Sequence, residues 1–406
     1  MTEHLIQRLG HLGEGMAEGP IFAPLTLPGE VVTGDVQGNR LATPKIVTPS
    51  PDRVAAPCRH FKTCGGCALQ HASDPFVAGW KQEVVRKALE AQGLTAQFQP
   101  IRTSPTASRR RATFSARRTK KGAMAGFHAR GSDVLVEIPD CQLLRPSVLA
   151  GRDIAAELAV VGGSRKGELS VSVTDSLQGL DIAVTGGKPL DGALRVALAA
   201  VVAQHDLARL AWDDEVVAMA VPPEQPFGAA RVVPPPGAFL QATSEGEIAL
   251  FQGLKRAVGS AKSVVDLFAG CGTFSLPLAE QADVHAYEGE AEMIAALDKG
   301  WRMAKGLHKV QATARDLFRN PLLPDELDLF DAIAIDPPRA GAQAQVAQIA
   351  ESRVPVVGFV SCNPVTFARD ARTLVDGGYA LDWVQVVDQF RWSAHIEVVA
   401  RFFRAT

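Results

Sequence analysis

No apolar run in this chain reaches the roughly 18 residues that a membrane-crossing helix needs. The longest candidate, ALRVALAAVVAQ, is shorter and carries Arg195. The opening MTEHLIQRLGHLGEG has no basic segment followed by an apolar block, so no secretory leader is expected. Together these absences predict a cytoplasmic protein with no membrane partner. Internal repeats and low-complexity tracts are missing too, which excludes solenoid and disordered architectures. Nor is there an excess of one charge: 42 Lys and Arg face 44 Asp and Glu, a net −2. Cysteine is scarce, at six in 406 residues. A cytosolic chain would not spend them on a disulfide framework.

What is present is unevenly placed. RRRATFSARRTKK gathers Arg109, Arg110, Arg111, Arg117, Arg118, Lys120 and Lys121 with no acid among them. A basic stripe on an otherwise acidic chain is either a polyanion footprint or a solvated strand face. Three of the six cysteines, Cys58, Cys64 and Cys67, fall within ten residues around a Gly-Gly turn, and Cys141 offers a fourth thiol. Four thiolates in such an arrangement can hold zinc or an iron–sulfur cluster, and spacing alone does not choose.

The chain length allows two or three domains. Residues 1–52 are rich in turn signals between short apolar stretches and read as a small β-barrel-like module. TPSPDRVAAP is a Pro-rich connector, and DPFVAGWKQEVVRKALEAQG spaces Trp80, Val84 and Leu89 for a helix that Gly93 ends. Residues 53–232 then form a β-rich central region, closed by the linkers VPPEQPFG and RVVPPPGAF. Residues 233–406 alternate strands with helices. That alternation predicts an α/β fold with a doubly wound, mostly parallel sheet.

The last region carries the chemistry. In DLFAGCGTFS an apolar strand ends at Asp266, and Gly270 and Gly272 occupy the turn. Such glycines let a backbone approach a ligand closely, although the same pattern serves any nucleotide or a plain tight turn. Glu288 ends the next strand, where an acid can bind ribose hydroxyls. FDAIAIDPPRAG ends a third strand at Asp336. VPVVGFVSCNP places Cys362 where another strand stops and a Pro-containing loop begins. Loops at strand ends are where α/β enzymes place reactive groups.

Taken together, these motifs resemble the class I methyltransferases that use S-adenosylmethionine. Within that class the Asp-Pro-Pro motif usually ends in an aromatic when an exocyclic amine is the target. Arg339 stands in that slot and points instead to the uracil-C5 RNA methyltransferases. The chain is similar over nearly its whole length to the bacterial family that methylates 23S ribosomal RNA and transfer RNA.

The resemblance implies Cys362 as nucleophile and Glu397, in RWSAHIEVVARF, as the base that removes the C5 proton. It also implies Gln241 of AFLQAT, Phe268, Gly270, Thr273, Glu288, Asp316 and Asp336 around the methyl donor and target base. Two positions depart from it: Thr273 stands where several relatives carry Asn, and Ala269 where Cys is frequent. The cysteines Cys58, Cys64, Cys67 and Cys141 resemble the [4Fe–4S] branch of the family, and residues 1–52 resemble an RNA-binding TRAM barrel. The basic run would hold RNA phosphates. The implied substrate is a structured RNA, 23S ribosomal RNA being favoured over the transfer RNA T-loop, and no obligate protein partner is evident. The alternatives are a cytosine-C5 methyltransferase, which also uses a thiolate, and an RNA-binding factor that keeps the fold without catalysis.

Overall fold

A computed structural model describes residues 2–404. Its largest sheet has eight strands: β1 (Gln97–Thr103), β2 (Ser263–Leu267), β3 (Asp283–Glu288), β4 (Val310–Ala314), β5 (Ala332–Ile335), β6 (Val356–Ser361), β7 (Tyr379–Asp388) and β8 (Glu397–Arg404). They lie side by side in the order β4-β3-β2-β5-β6-β8-β7-β1. All pairings are parallel except those of β8, which runs against both β6 and β7. The central strands read as near-continuous apolar runs because helices cover both faces. In β5, AIAI is buried at every position. One face packs Leu267, Ile333, Phe359, Phe367 and Phe402, and the other packs Leu250, Leu254, Val264, Val284 and Leu297.

The expected doubly wound sheet is therefore present, but one strand comes from elsewhere. β1 lies in the stretch assigned to the central region, yet it pairs in parallel with β7, Val384 opposite Phe98. The helix before it, Asp74–Glu90, packs on the helix Pro364–Asp376 of the catalytic layer. That packing and the pairing correct the boundary at residue 233: residues 74–103 are part of the catalytic body. The helix begins with Ser73, whose hydroxyl accepts from Phe76 N at 3.3 Å, and Gly93 turns the chain back at φ +69°.

The central region is a separate seven-stranded sheet. Its middle strand is Leu169–Ser176, next to Arg111–Arg118, which pairs on its other side with Ala123–His128, and the helices Pro146–Gly162 and Gly192–Gln204 pack on the sheet. Residues 3–48 fold into two small sheets of three and five strands around Ile6, Ala23, Val32 and Leu41. Among the described residues no helix is long and apolar enough to cross a membrane.

Candidate active site

The ends of β2, β3, β5, β6 and β8 converge on one cavity of about 560 Å³. It is lined by Gln241, Phe268, Gly270, Thr273, Glu288, Asp316, Asp336, Cys362 and Glu397. Every residue expected around the methyl donor and target base therefore meets the same space. Parallel sheets leave such a crevice at the carboxyl ends of their strands.

After β2 the chain turns sharply. Phe268 takes φ +63°, a left-handed conformation that costs a non-glycine residue about 1 kcal/mol or more. Gly270 follows at φ +55° with open space where a side chain would point. A side chain at Gly272, φ +90°, would instead press on Leu297 within 2.8 Å. The first glycine leaves room for a ligand, and the second lets a helix pack closely. Gly270 N donates to Glu288 Oε2 at 3.0 Å, and Gly289 N donates to Glu288 Oε1 at 2.7 Å. The Glu288 carboxylate is thus fixed against the glycine turn. Asp316 Oδ1 accepts from the backbone N–H of Phe318 and Arg319. That contact sets the loop so that the Phe318 ring stands 5.4 Å from the Phe268 ring.

On the opposite wall Cys362 sits between β6 and its following helix. Asn363 caps that helix, accepting from Val365 N at 3.0 Å, and Pro364 occupies its first turn. The Asn363 amide also donates to Arg339 O at 3.1 Å, tying the cysteine loop to the Asp336–Arg339 loop. Gln241 Nε2 donates to Asp336 Oδ2 at 3.3 Å, and Gln389 Nε2 donates to Gln241 Oε1 at 2.6 Å. Gln389 has no motif of its own in the sequence, so this link was not expected.

The electrostatics are crowded with acids. Burial pushes the Glu397 carboxyl up to about 8, helped by the charge of Asp336, while a hydrogen bond from Gln389 and the charge of Lys81 pull it down. Burial and the neighbouring Asp266 push Asp336 up to about 7. The Cys362 thiol is pushed up to about 12 by burial, then by Glu397 and Asp336, with Arg339 opposing. Cys271 is a different kind of cysteine: it is fully buried, with its sulfur 3.1 Å from the Met293 sulfur.

A second cavity, of about 490 Å³, lies beside the central sheet and is lined by Cys58, Cys64, Cys67 and Cys141. All four are free thiols. Burial pushes Cys67 up to about 11. Arg109 shares this wall, and its Nε is buried with no hydrogen-bond partner. Among the described residues no three His, Cys, Asp or Glu side chains group closely enough to hold a metal ion.

The basic run does not act as one surface. Arg110 is buried, paired with Glu247, and donates to Gln241 O at 3.0 Å. Arg111 donates to Leu240 O at 2.8 Å and covers the Phe239 ring. Arg109 faces the Phe390 ring and the cysteine cavity. These three join the catalytic body to the central sheet. Arg117 pairs with Glu168 at 2.6 Å on the outer half of the strand, Arg118 is half-buried, and Lys120 and Lys121 are exposed.

Comparison with known proteins agrees with this geometry. A family model described as tRNA (Uracil-5-)-methyltransferase matches residues 302–403. An uncharacterized RNA methyltransferase of Brucella suis is 42% identical over 401 residues, covering 97% of this chain and 96% of its own. The 23S rRNA (uracil(1939)-C(5))-methyltransferase RlmD of Halomonas elongata is 32% identical, covering 97% of this chain and 88% of its own. The fold matches the Pyrococcus abyssi tRNA (uracil-54, C5)-methyltransferase, solved with S-adenosyl-L-homocysteine, at a TM-score of 0.77 and 20% identity over 99% of this chain and 100% of that one. With a whole-length relative of this identity and a crevice lined by the expected residues, the chain belongs to the RNA (uracil-C5)-methyltransferase family.

Proposed function

We propose that this enzyme methylates C5 of a uracil in structured RNA, with S-adenosylmethionine as donor and 23S ribosomal RNA as the favoured target. One observation carries the reading: Cys362, Glu397, Asp336 and Gln241 share a single cavity with the Gly270 turn and Glu288. Gly270, Thr273, Glu288, Asp316 and the paired rings of Phe268 and Phe318 would hold the donor. When bound, S-adenosylmethionine supplies an electrophilic methyl group and a positive charge.

Carbon C5 of uracil is a poor nucleophile. The Cys362 sulfur, its proton lost to solvent, adds to C6 and turns the ring into an enolate whose C5 takes the methyl group as the donor's S–CH3 bond breaks and leaves a neutral thioether. Glu397 then takes the C5 proton, the C5–H electrons restore the C5=C6 bond, and the S–C6 bond breaks to free the thiolate. Burial, reinforced by the neighbouring carboxyl groups, favours the thiol form of Cys362 and the protonated form of Glu397 at neutral pH. A cationic ligand beside Asp336 favours the ionised forms of all three groups. The Asn363–Arg339 and Gln389–Gln241 contacts hold the nucleophile loop and the base-side wall in register. The uracil must leave its stack to reach Cys362, so a folded RNA loop is the expected substrate.

We read Cys58, Cys64, Cys67 and Cys141 as the ligands of a [4Fe–4S] cluster. Four free thiols line one cavity, and the unpartnered Arg109 nitrogen at its wall suits an anionic group. Methyl transfer needs no electrons, so the group's part is structural. Residues 3–48 serve as a TRAM-like RNA-binding module, and Arg117, Arg118, Lys120 and Lys121 remain for phosphate contact. A transfer RNA T-loop is the second reading, favoured by the description of the matching family model. Incubation with labelled donor and separate ribosomal and transfer RNA distinguishes the two. Label in 23S RNA alone supports the first, and label in transfer RNA alone overturns it.

A further inference from the structure

Lys81 touches none of the reacting groups described, yet it is fully buried. It lies on the helix Asp74–Glu90, far in sequence from the catalytic motifs. A buried ammonium persists only where it is paired and its protons are accepted. Its Nζ donates to Asp388 Oδ1 at 2.6 Å, to Phe390 O at 3.1 Å and to His395 O at 2.9 Å. These acceptors bracket residues 389–396, the loop between β7 and β8 that ends immediately before Glu397. Three donors on one rigid ammonium therefore fix both ends of that loop.

The same loop is gripped from the cysteine side. Ala68 N and Leu69 N, the two amides that follow Cys67, both donate to Trp392 O, at 2.8 and 2.9 Å. Trp392 sits at φ +59°, an uncommon conformation for a bulky residue that persists only where its surroundings hold it. Arg109, on the wall of the cysteine cavity, lies 5.1 Å over the Phe390 ring. Gln389, at the start of the loop, reaches Gln241 on the target-base side.

We propose that Lys81 is a positioning residue for proton removal: it and the backbone after Cys67 clamp residues 389–396 and so hold Glu397 at the target C5. The cysteine site and the base are mechanically joined through this clamp. The inference rests on the reading of Glu397 as the base. Lys81 does not touch the RNA base. Its loss leaves the sulfur of Cys362 free to add to C6 but lets the carboxylate drift from the C5 proton.

The test compares Lys81→Met with wild type and Glu397→Gln, using donor and an RNA substrate. Three quantities are read: the fraction of enzyme in covalent adduct with RNA, the rate of adduct release, and amide hydrogen exchange across residues 389–396. The expected result is adduct formation near the wild-type rate, release slower by about tenfold, and faster exchange confined to the loop. Asp388→Asn keeps the side-chain volume and one acceptor oxygen, and should slow release by about threefold even where Lys81→Met does not fold. Chelating the group held by the cysteines should also speed exchange in residues 389–396, a readout independent of activity. Wild-type release in Lys81→Met or in Asp388→Asn overturns the inference, as does an equal loss of formation and release. If Glu397→Gln itself accumulates no adduct, the assignment of the base fails instead.

Discussion

The molecule builds two thiol-lined cavities of similar size from the same residue type. In the catalytic crevice a single half-buried cysteine faces two carboxyl groups, Glu397 and Asp336, and only Arg339 opposes them. In the central cavity four cysteines face Arg109 and Arg130, and Asp140 is the carboxylate that acts on Cys58. The surroundings, and not the thiols, distinguish the two cavities. In the catalytic crevice burial and then the carboxyl neighbours favour the protonated thiol until a cationic ligand arrives, and that suits a nucleophile which must act on cue. In the central cavity Arg109 and Arg130 pull against the burial that raises the thiols, and that suits ligands of a bound group.

The contrast is broken most severely at Cys362. Cys362→Ala should lower methylation by about a thousandfold or more, measured as label transferred to RNA, because covalent activation is lost outright. Glu397→Gln should lower turnover by about a hundredfold and, unlike the first variant, should accumulate a covalent RNA adduct on a denaturing gel. Cys67→Ser tests the other cavity. It should abolish the visible absorbance and iron content of the protein and lower its melting temperature, while Cys362 keeps its chemistry in whatever fraction remains folded. Unchanged iron content would remove Cys67 from the ligand set.

Smaller effects sharpen the picture. Lys120→Ala with Lys121→Ala should weaken RNA binding only severalfold and reduce the salt dependence of log K by about one to two units. Arg110→Ala should instead lower the melting temperature, since it strands the buried Glu247. Asp336→Asn should raise stability in a pH-dependent way. The folded-state pKa of Asp336 is raised, to about 7, so the unfolded chain releases this proton first as pH rises. Its contribution to stability is greatest in acid and is lost as pH climbs through about 7. The gain in melting temperature for the variant should therefore be absent near pH 3, grow between pH 4 and pH 7, and level off above that.

Much of the catalytic layer was legible because its signals are local. An apolar run, a Gly or Pro turn and a helix start lie within a dozen residues around Asp266, Asp336 and Cys362, and strand ends in a parallel sheet converge of necessity. Long-range partnerships left no such mark. β1 joins β7 across some 285 residues, and nothing in QFQPIRT announces it. Arg110 reads as part of a basic stripe because burial and pairing with Glu247 are set by the domain contact, not by its neighbours in sequence. Lys81 looks like a solvated helix position, and only the three acceptors of the 389–396 loop explain its burial. Gln389 likewise gains its role from Gln241, 148 residues away in sequence.

The central claim is a covalent bond between Cys362 and C6 of a flipped uracil. RNA carrying 5-fluorouridine tests it most directly, because fluorine at C5 cannot leave as a proton and the adduct cannot resolve. With S-adenosylmethionine present, digestion and mass spectrometry should find the nucleotide, with its added methyl group, on the peptide that contains Cys362. Methylation of ordinary RNA to 5-methyluridine without any such adduct, or an adduct on a different cysteine, would contradict the account.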